Sequence, residues 1–410
     1  MLRIGSLLMA LFGAMAPVLA QYYWEQRADL PTSGLWGPTS FVIDGHGYVV
    51  AGMTNGTDVT NTWMYDPILD AWVPKAPIPI PRRYAAGFAI NGKGYVACGI
   101  LGGQHRDDLW EYDPISDTWS SKADFPGVPR YGTHHFALGG HGYVGSGNSG
   151  SALGPYVSDM YAYDPVSNTW VSKSALPGLA RYGTSTITAM GHAFVFGGLM
   201  SNQQHTGDIY EYDALSDSWT LRAPLPGSTR TYAMAFSYSS EGAIVAGKSG
   251  AGQNIYDGFR YWPSNNSWAA IPDYPGESGW VGATMAINGR SFGGLGYTLA
   301  DGNDYNDWWE LIKGSVESTD EVLADNSLFQ VFPNPCMAGG EVVFTFGLSV
   351  PPQTVVSVDV VSHSGQMVRS TPHRVGDFFP VPDVAPGIYG VLVRLRSGES
   401  LFSRMSILPH

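Results

Sequence analysis

Residues 84–119 read YAAGFAINGKGYVACGILGGQHRDDLWEYDPISDTW, and this stretch decides the fold. An alternating apolar run leads to Asn91-Gly92, and a second apolar run ends at Cys98-Gly99. A third run ends in YDP at 112–114, after which the chain turns into a run that carries Trp119. Asn-Gly between alternating runs is a strong hairpin signal because both residues tolerate positive φ. The stretch therefore predicts four short antiparallel strands and no helix.

The same marks recur along the chain in the same order. One series of tryptophans returns every 47 to 51 residues, a period that is typical of propellers and arrays. A small residue and a glycine end the second run of each unit, and six such pairs indicate six repeats. The tryptophans are Trp24, Trp72, Trp119, Trp170, Trp219 and Trp268, and the pairs are Ala51-Gly52, Cys98-Gly99, Ser146-Gly147, Gly197-Gly198, Ala246-Gly247 and Gly293-Gly294.

The glycine pair, the YDP turn and the following tryptophan resemble the kelch repeat. The resemblance covers about residues 24–314 and implies a six-bladed β-propeller. The last unit departs from the pattern, because Asn306–Glu310 supplies a third strand and no tryptophan strand follows it. At the other end, Tyr22–Trp24 forms a tryptophan strand with no blade before it. We therefore expect the two ends to pair and close the ring, which would hide both sheet edges.

The N-terminus has the order of a secretory signal peptide. Arg3 precedes an apolar run over 4–16, and small side chains follow at Val18 and Ala20. The run is too short for a membrane-spanning helix, which needs about 20 apolar residues. We expect residues 1–20 to be removed, residues 21–314 to form the propeller, and no stable transmembrane segment. The mature chain is therefore expected to be exported.

The C-terminal part has a different pattern. Residues 315–327 carry four carboxylates and no base, and we interpret them as an acidic linker. Residues 328–410 contain about seven short strand-like runs, which are typical of a small β-sandwich. The predicted fold class is all-β: a six-bladed kelch-type β-propeller followed by a small Ig-like β-sandwich.

Pro333, Asn334 and Pro335 stand near the start of the predicted sandwich, and Gly387 and Tyr389 precede its last strands. These residues resemble the type A C-terminal sorting domain of the type IX secretion system, although Phe332 stands where that family usually has Tyr. The resemblance implies a Bacteroidetes-type bacterium and passage across the outer membrane by the type IX secretion machinery. It also implies a final location in the medium or on the cell surface. An accessory sandwich without a sorting role is the alternative.

Composition excludes several classes of protein. The net charge of −13 argues against a nucleic-acid partner, because phosphate contacts need a basic face. The two cysteines, Cys98 and Cys336, lie too far apart in sequence for a disulfide framework, and no zinc-ligand spacing occurs. We therefore expect no metal and no cofactor. We also expect a monomer, because a closed ring has no sheet edge for a partner to cover.

The long loops between second and third strands share one face of the predicted propeller, opposite the tight hairpin turns. Loops on a rigid scaffold commonly carry binding residues. Four of the six segments that enter the first strands on this face combine arginine with an aromatic residue, and the other two carry tryptophan. Arginine suits carboxylate or sulfate groups, and aromatic faces suit the apolar faces of sugar rings. The predicted ligand-binding residues are Arg83, Arg130, Arg181, Arg230, Tyr131, Tyr182, Trp36 and Trp280.

Several of these residues have a second interpretation. The arginines would be structural if they bonded backbone carbonyls of a neighbouring blade. Glu111 and Glu211 occupy equivalent positions, and each would act as an acid or base in an enzyme or else pair with a nearby cation. His134 and His135 are adjacent in a strand and point to opposite faces, so they cannot share a metal, but one can face the central channel.

Three functions are open at this point. The first is a binding module for an extracellular glycan or an extracellular protein. The second follows from the resemblance, because bacterial six-bladed kelch propellers include sialic-acid mutarotases, which use Arg and Glu at the channel mouth. The third is a structural or adhesive surface protein. A propeller by itself specifies none of these. We expect a binding module rather than an enzyme and predict no catalytic residue.

Overall fold

A computed structural model describes residues 22–298 and 301–313, and it describes further strands between residues 329 and 408. The chain divides into two compact units, and the larger one spans Leu19–Ser315. The predicted signal peptide and acidic linker lie outside the described residues, as do Pro333, Asn334 and Pro335. The larger unit therefore carries all of the predicted ligand-binding residues.

Six antiparallel sheets surround one axis within residues 22–298 and 301–313. The first strand of each sheet is innermost and lies next to the first strands of the neighbouring sheets. This arrangement confirms the predicted six-bladed propeller. Across the described part of the chain, the secondary structure is β-strand and turn, and no helix there is long and apolar enough to cross a membrane.

Each blade consists of a main set of four strands, ordered from the axis outward. Blades 1 to 3 consist of Thr39–Ile43, His46–Val50, Thr62–Asp66 and Ala71–Lys75; Ala86–Ile90, Lys93–Ala97, Leu109–Asp113 and Thr118–Lys122; and His134–Leu138, His141–Ser151, Gly154–Asp164 and Thr169–Lys173. Blades 4 to 6 consist of Ser185–Ala189, His192–Phe196, Ile209–Asp213 and Ser218–Arg222; Met234–Ser237, Gly242–Ser249, Asn254–Trp262 and Ser267–Ile271; and Ala283–Ile287, Arg290–Tyr297, Asp304–Lys313 and Tyr22–Arg27. Two-residue strands on the loop side are Met53–Thr54, Thr57–Asp58, Ile100–Leu101, Gln104–His105, Arg181–Tyr182, Leu199–Met200 and Arg230–Thr231.

The N-terminal strand closes the ring. Tyr22–Arg27 pairs antiparallel with Asp304–Lys313 and places Trp24 opposite Leu311. The Trp24 indole N–H also donates a hydrogen bond to the carbonyl of Pro272 in blade 5, at 3.1 Å. The strand therefore completes blade 6 and ties it to blade 5, as the two incomplete repeats predicted.

Large side chains from one blade fit over glycines of the next. The Phe41 ring of blade 1 lies 2.2 Å from the place where a Cβ on Gly94 of blade 2 would be. Phe88 of blade 2 has the same relation to Gly142 of blade 3, at 2.1 Å. Burial of each ring contributes about 1.5–3 kcal/mol. Glycine is required at these positions because any larger residue would push the neighbouring blade away.

A hydrogen-bonded clip joins each of blades 1 to 5 to the blade before it. In blade 2, Asp117 Oδ1 accepts hydrogen bonds from the Tyr112 hydroxyl at 2.6 Å and from the Ala76 N–H at 2.9 Å. The Trp119 indole N–H donates to the Ala76 carbonyl at 2.8 Å. Ala76 follows the last strand of blade 1, so blade 2 holds both backbone groups of that residue. The recurrent tryptophan therefore serves to fix one blade against another.

The clip recurs in blades 1 to 5 with Asp or Asn as the central acceptor. This residue has a φ between 50° and 53° in all five blades, a left-handed conformation that Asp and Asn tolerate better than most residues do. It stands two positions before the tryptophan, so an Asp/Asn-x-Trp spacing marks the clip in the sequence. The other sets are Tyr65, Asp70 and Trp72; Tyr163, Asn168 and Trp170; Tyr212, Asp217 and Trp219; and Tyr261, Asn266 and Trp268.

Two consecutive residues of positive φ lie where the second strand of each blade reaches the loop face, either inside that strand or directly after it. In blades 1 to 5 these are the small-residue and glycine pairs found in the sequence. In blade 6 they are Leu295 and Gly296, with φ of 62° and 112°. Gly293 and Gly294 instead pair regularly within the sheet. The sequence interpretation was therefore two residues early in the last repeat, because it expected a small residue where Leu295 takes the left-handed conformation.

The strands near the C-terminus form two sheets. Gly387 begins the strand Gly387–Leu395, which also contains Tyr389. The side chains of these strands lie outside the described part of the chain, so the Ig-like sandwich and its sorting role stay predictions. In sheet order the strands are Phe329–Phe332, Glu341–Phe346 and Phe379–Pro380, and then Cys336–Met337, Ser400–Leu408, Gly387–Leu395, Val355–Val361 and Met367–Pro372.

We predict that Asp117→Ala lowers the free energy of unfolding by about 1–3 kcal/mol, because the Tyr112 hydroxyl and the Ala76 N–H lose their acceptor. Asp117→Asn keeps an oxygen acceptor, as Asn168 does in blade 3. We expect it to stay within about 0.5 kcal/mol of the original chain. Urea unfolding of the two variants measures the difference, and equal losses would contradict the acceptor role.

The same position gives a prediction on pH. Burial alone would raise the pKa of Asp117, but the hydrogen bonds from Tyr112 and Ala76 outweigh burial and lower it. A carboxylate with a lowered pKa stabilises the fold above its unfolded pKa of about 3.9, and that contribution is lost as pH falls through the folded pKa. Asp117→Asn should therefore be less sensitive to acid below about pH 4. Unfolding midpoints measured from pH 7 to pH 3 check this, and parallel curves for both chains would refute it.

Candidate functional site

The six segments that enter the first strands meet around the axis on the loop face. One residue from each segment has a φ between 52° and 66°, and five of the six N–H groups donate to the counterpart carbonyl of the preceding blade. These hydrogen bonds are 2.7 to 3.1 Å long. The segments are therefore held in a fixed register around the channel. The six residues are Gly37, Tyr84, Gly132, Gly183, Tyr232 and Val281.

Two tyrosines of this ring cover the channel. Tyr84 comes from blade 2 and Tyr232 from the opposite blade 5, and their ring centroids lie 5.1 Å apart. Tyr232 lies so close above Gly183 that a Cβ there would come within 2.8 Å of its ring. Glycine is required at that position for this reason as well as for its positive φ. Below the tyrosines, a channel cavity of about 150 Å³ includes His135 in its lining.

A larger circle of aromatic residues surrounds the two tyrosines. Four predicted site residues, Trp36, Tyr131, Tyr182 and Trp280, belong to this circle, and Tyr297 joins it between the tryptophans. Successive members contact each other directly or through Tyr84 and Tyr232. The centroid separations are Trp36–Tyr84 5.6 Å, Tyr84–Tyr131 5.7 Å, Tyr131–Tyr182 5.8 Å, Tyr182–Tyr232 5.9 Å, Tyr232–Trp280 6.0 Å, Trp280–Tyr297 6.0 Å and Trp36–Tyr297 5.6 Å.

The circle opens into a concave surface where blade 6 meets blade 1. We call this surface the aromatic basin. It encloses about 630 Å³, and its apolar part is formed by half-buried tryptophan and tyrosine rings, with short polar side chains along one side. Its residues are Trp36, Tyr84, Trp280, Tyr297 and Tyr305, with Ser33, Asn55, Gly56, Gly302, Asn303 and Asp304.

The polar side of the basin is held by contacts between blades. Asp304 Oδ2 accepts a hydrogen bond from the Asn55 N–H at 2.8 Å, and Asn55 Nδ2 donates to Ser33 Oγ at 3.1 Å. Gly34, with a φ of 115°, allows this approach, because a Cβ there would lie 2.5 Å from the backbone of Asp304. Burial raises the pKa of Asp304 above its usual value. The loop of blade 6 is therefore fixed against blade 1, and its polar groups stay in place beside the rings.

Three of the predicted arginines have internal partners. Arg130 is fully buried and forms a bidentate ion pair with Asp159 at 2.6 and 3.0 Å. It also donates to the carbonyls of Val128 and Ser146. Arg181 and Arg230 are buried in the same way, beside Asp208 and Asp257. These carbonyls belong to the arginine's own blade or its entry segment, not to a neighbouring blade. The basin receives no charge from these three side chains.

Arg83 differs from the other three. The buried counterpart of Arg130 in blade 2 is Arg82, which pairs with Asp108 at 2.6 Å. Arg83 takes the next position, where blades 1, 3, 4 and 6 have an aromatic residue and blade 5 has Thr231. Its guanidinium lies 5.5 Å from the Trp36 ring centroid and pairs with Asp58 at 2.5 Å. Arg83 therefore borders the basin, but its charge is neutralised.

Glu111 and Glu211 lie outside the basin and the channel cavity. Glu111 accepts a hydrogen bond from the Tyr95 hydroxyl at 2.7 Å and pairs with Lys122 at 3.1 Å. Glu211 pairs with Arg222 and contacts His192. Each glutamate therefore joins adjacent strands of its own blade.

The histidine pair separates as the strand geometry predicted. His134 is buried in the core and contacts Ser146 Oγ at 2.9 Å, while His135 lines the channel cavity. Burial lowers the pKa of His134 to about 3 and that of His135 to about 4. Both are neutral at physiological pH. Burial also raises the pKa of Cys98 to about 12, so its thiol stays protonated.

The described residues contain no group of three or more His, Cys, Asp or Glu that could hold a metal ion. In the segment 301–307, Asp301 is engaged by the Tyr305 hydroxyl at 2.5 Å and by Asn303. Asp304 holds Asn55. These carboxylates order the loop that forms the polar side of the basin.

The sequence analysis missed two residues on this face, Tyr297 and Lys248. Each directly follows the positive-φ pair of its blade, Leu295-Gly296 in blade 6 and Ala246-Gly247 in blade 5. Each also pairs with the entry segment, Tyr297 with Trp280 and Lys248 with Thr231. The position directly after the positive-φ pair could have identified both residues from the sequence. In the last repeat the pair was placed two residues too early, so Tyr297 was not recognised as the residue that follows it.

Comparison with known proteins supports the fold alone. No protein family profile matches the chain, and no curated protein matches it. Among solved structures, the chain is similar to the one titled "Structure of YjhT", with a TM-score of 0.58 and 17% identity. The match covers 71% of this chain and 96% of that chain. The chain therefore shares a β-propeller fold with that structure.

We predict that Arg130→Ala lowers the free energy of unfolding by about 2–3 kcal/mol, because two carbonyls and Asp159 lose a buried donor. Arg106→Ala is the matched control, because Arg106 is partly exposed and its ion pair with Asp108 is longer, at 3.5 Å. It should change stability by less than about 1 kcal/mol. Urea unfolding measures both. If the Arg130→Ala chain kept full stability but lost ligand binding, the result would contradict the structural role and support Arg130 as a binding residue.

Proposed function

We propose that the chain is an exported propeller that binds an extracellular glycan, with the aromatic basin as its binding site. The observation that carries the proposal is the convergence of Trp36, Trp280 and Tyr297 on one concave surface. Trp36 and Trp280 stand in the two blades where the repeat departs from its arginine pattern. Because the departures lie side by side at the seam of the ring, they form one site rather than two separate ones.

The shape and chemistry of the basin suit a sugar. Binding pockets for small molecules commonly enclose about 300–1,000 Å³ and combine apolar walls with a few fixed polar groups. The rings of Trp36 and Trp280 offer flat apolar surfaces for the C–H face of a pyranose. Asn55, Asn303 and Asp304 line the other side and offer amide and carboxylate groups for sugar hydroxyls. A sugar ring likewise combines an apolar C–H face with polar hydroxyl groups. The C–H face can therefore contact the aromatic rings while the hydroxyl groups contact the polar side of the basin.

The mutarotase-like alternative requires arginine and glutamate at one site. Arg130, Arg181 and Arg230 are paired internally, and Glu111 and Glu211 lie outside the basin. This separation favours binding over catalysis. The structural or adhesive alternative gives no reason for an open basin of aromatic rings, which a scaffold would more readily fill or cover.

Delivery to the outside of the cell belongs to the same proposal and rests on the sequence. The segment 1–20 supports export, and the resemblance of residues 328–410 to a sorting domain supports delivery by the type IX secretion machinery. A ligand met outside the cell is then a surface polysaccharide, a matrix glycan or an extracellular protein.

We predict that Trp280→Ala and Trp36→Ala each weaken glycan binding at least tenfold, which corresponds to about 1.4 kcal/mol. A glycan array probed with the full chain, followed by calorimetry on the best glycan, measures the effect. Tyr23→Ala is the matched control, because Tyr23 is an exposed aromatic residue of the closing strand outside the basin. It should bind like the original chain.

Two outcomes would count against the proposal. If the folded chain bound no glycan, an extracellular protein ligand or a structural role would be the better account. If a glycan bound and both tryptophan variants retained its affinity while folded, binding would lie elsewhere than in the basin. Thermal unfolding of each variant separates a lost contact from a lost fold.

A further inference from the structure

Lys248 is a half-buried cation on the same face as the basin. It follows the positive-φ pair of blade 5, and its Nζ lies 4.6 Å from the centroid of the Trp280 ring. Trp280 is itself part of the basin. Within the described residues, the Lys248 ammonium group forms no hydrogen bond and no ion pair, and the indole is its partner. A desolvated charge without a counter-ion is unfavourable in the free protein.

Within the described residues, the other arginines near the loop face have carboxylate partners, including Arg106, which lies 3.5 Å from Asp108. Arg83 pairs with Asp58, Arg82 with Asp108, and the equivalent arginines of blades 3 to 5 with their own aspartates. The unpaired lysines elsewhere in the described propeller, Lys75, Lys173 and Lys313, stand at the ends of strands at the outer edge of a blade or beside its outer strand. Lys248 is therefore the available positive charge beside the aromatic rings of the site.

Polar groups of blades 4 and 5 surround this lysine. Thr231 lies opposite it in the strand pairing, and the His205 ring nitrogen Nε2 is 3.5 Å from Thr231 Oγ1. Burial lowers the pKa of His205, and the nearby Lys248 charge lowers it further. His205 is therefore neutral at physiological pH. It can donate a hydrogen bond to a ligand or accept one from it, while Lys248 supplies the positive charge.

Asp304 belongs to the lining of the basin, whereas Lys248 lies next to that lining, against Trp280. Asp304 lies on the blade 1 side, where it binds Asn55, and Lys248 lies on the blade 5 side of Trp280. A ligand with one anionic group would be repelled from the first side and attracted to the second. Its orientation over the tryptophans would then be fixed by charge.

We propose that Lys248 is the charge-recognition residue of this site, and that the glycan it binds is acidic. The inference rests on the proposed function and names its ligand class: a sugar ring on the aromatic floor whose carboxylate or sulfate contacts the Lys248 ammonium group. A lysine is a point charge without a planar fork, so it accepts either anion. Thr231 and His205 offer neutral hydrogen bonds to the remaining oxygens.

The test compares ligands that differ in the anionic group alone. The full chain is titrated by calorimetry with a galacturonic acid oligomer, with the matching galactose oligomer, and with a sulfated galactose oligomer. We expect the chain to bind at least one acidic oligomer tenfold or more tightly than the neutral one. Lys248→Met should remove that preference and leave affinity for the neutral oligomer within twofold. Lys248→Arg should keep it.

Controls separate failure of this inference from failure of the proposed function. Lys173→Met removes an equal charge far from the basin and should keep the preference, which excludes a general effect of net charge. Trp280→Ala should weaken acidic and neutral oligomers alike. If the chain bound the two acidic oligomers and the neutral oligomer with equal affinity, and Lys248→Met changed none of these affinities, the inference would be overturned. The glycan-binding function would then stand. If the chain bound none of the three oligomers, both would lose their support. A preference confined to the carboxylated or to the sulfated oligomer identifies the anion.

Discussion

The propeller depends on the hydrogen bonds by which each blade binds the residue that follows the last strand of the blade before it. The backbone N–H of Ala76 and of its counterparts donates a hydrogen bond to the side-chain oxygen of an Asp or Asn. The backbone carbonyl of the same residue accepts a hydrogen bond from a tryptophan indole N–H. Two hydrogen bonds on one backbone unit fix both the distance and the angle of the next sheet. Five such clips, together with the bond from Trp24 to Pro272, set the positions of six sheets. The ring of left-handed residues near the axis then has little freedom left.

The candidate site lies where the repeats differ. Blades 2 to 5 place a buried arginine in the entry segment, and its bonds hold the segment to its own sheet. Blades 1 and 6 lack that arginine and carry Trp36 and Trp280 in the following position. The N-terminal strand interrupts the repeat between these same two blades. Because both tryptophans flank the interruption, the concave surface lies at the seam of the ring, and the rings of Tyr84 and Tyr232 keep it separate from the channel below.

The fold was predictable from the sequence because side-chain-to-backbone contacts repeat wherever the fold repeats. Trp119 and its equivalents recur for one reason, which is the indole bond to the preceding blade. The same logic does not by itself single out a binding residue. Arginines with an internal ion pair, such as Arg130, recur in blades 2 to 5, whereas Lys248, for which we propose a role in charge recognition, occurs once and leaves no periodic trace. Leu295 concealed Tyr297, because backbone conformation, not side-chain size, defines the end of the repeat unit. Trp36 and Trp280 could be named as candidates from the sequence because they break a pattern.

The closing strand has a consequence for how the protein is made. Trp24 is synthesised before the other blades of the propeller, and Leu311, which lies opposite it, near the end of the propeller. Contacts between such distant positions form slowly, because a long loop must be ordered before they can form. Until then blade 6 has three strands and an open hydrogen-bonding edge, which is the kind of surface that recruits other chains. A chain that is carried across a membrane before it folds would face this interval outside the cytoplasm. The rate of ring closure, more than the final stability of the ring, would then decide how much protein reaches its destination intact.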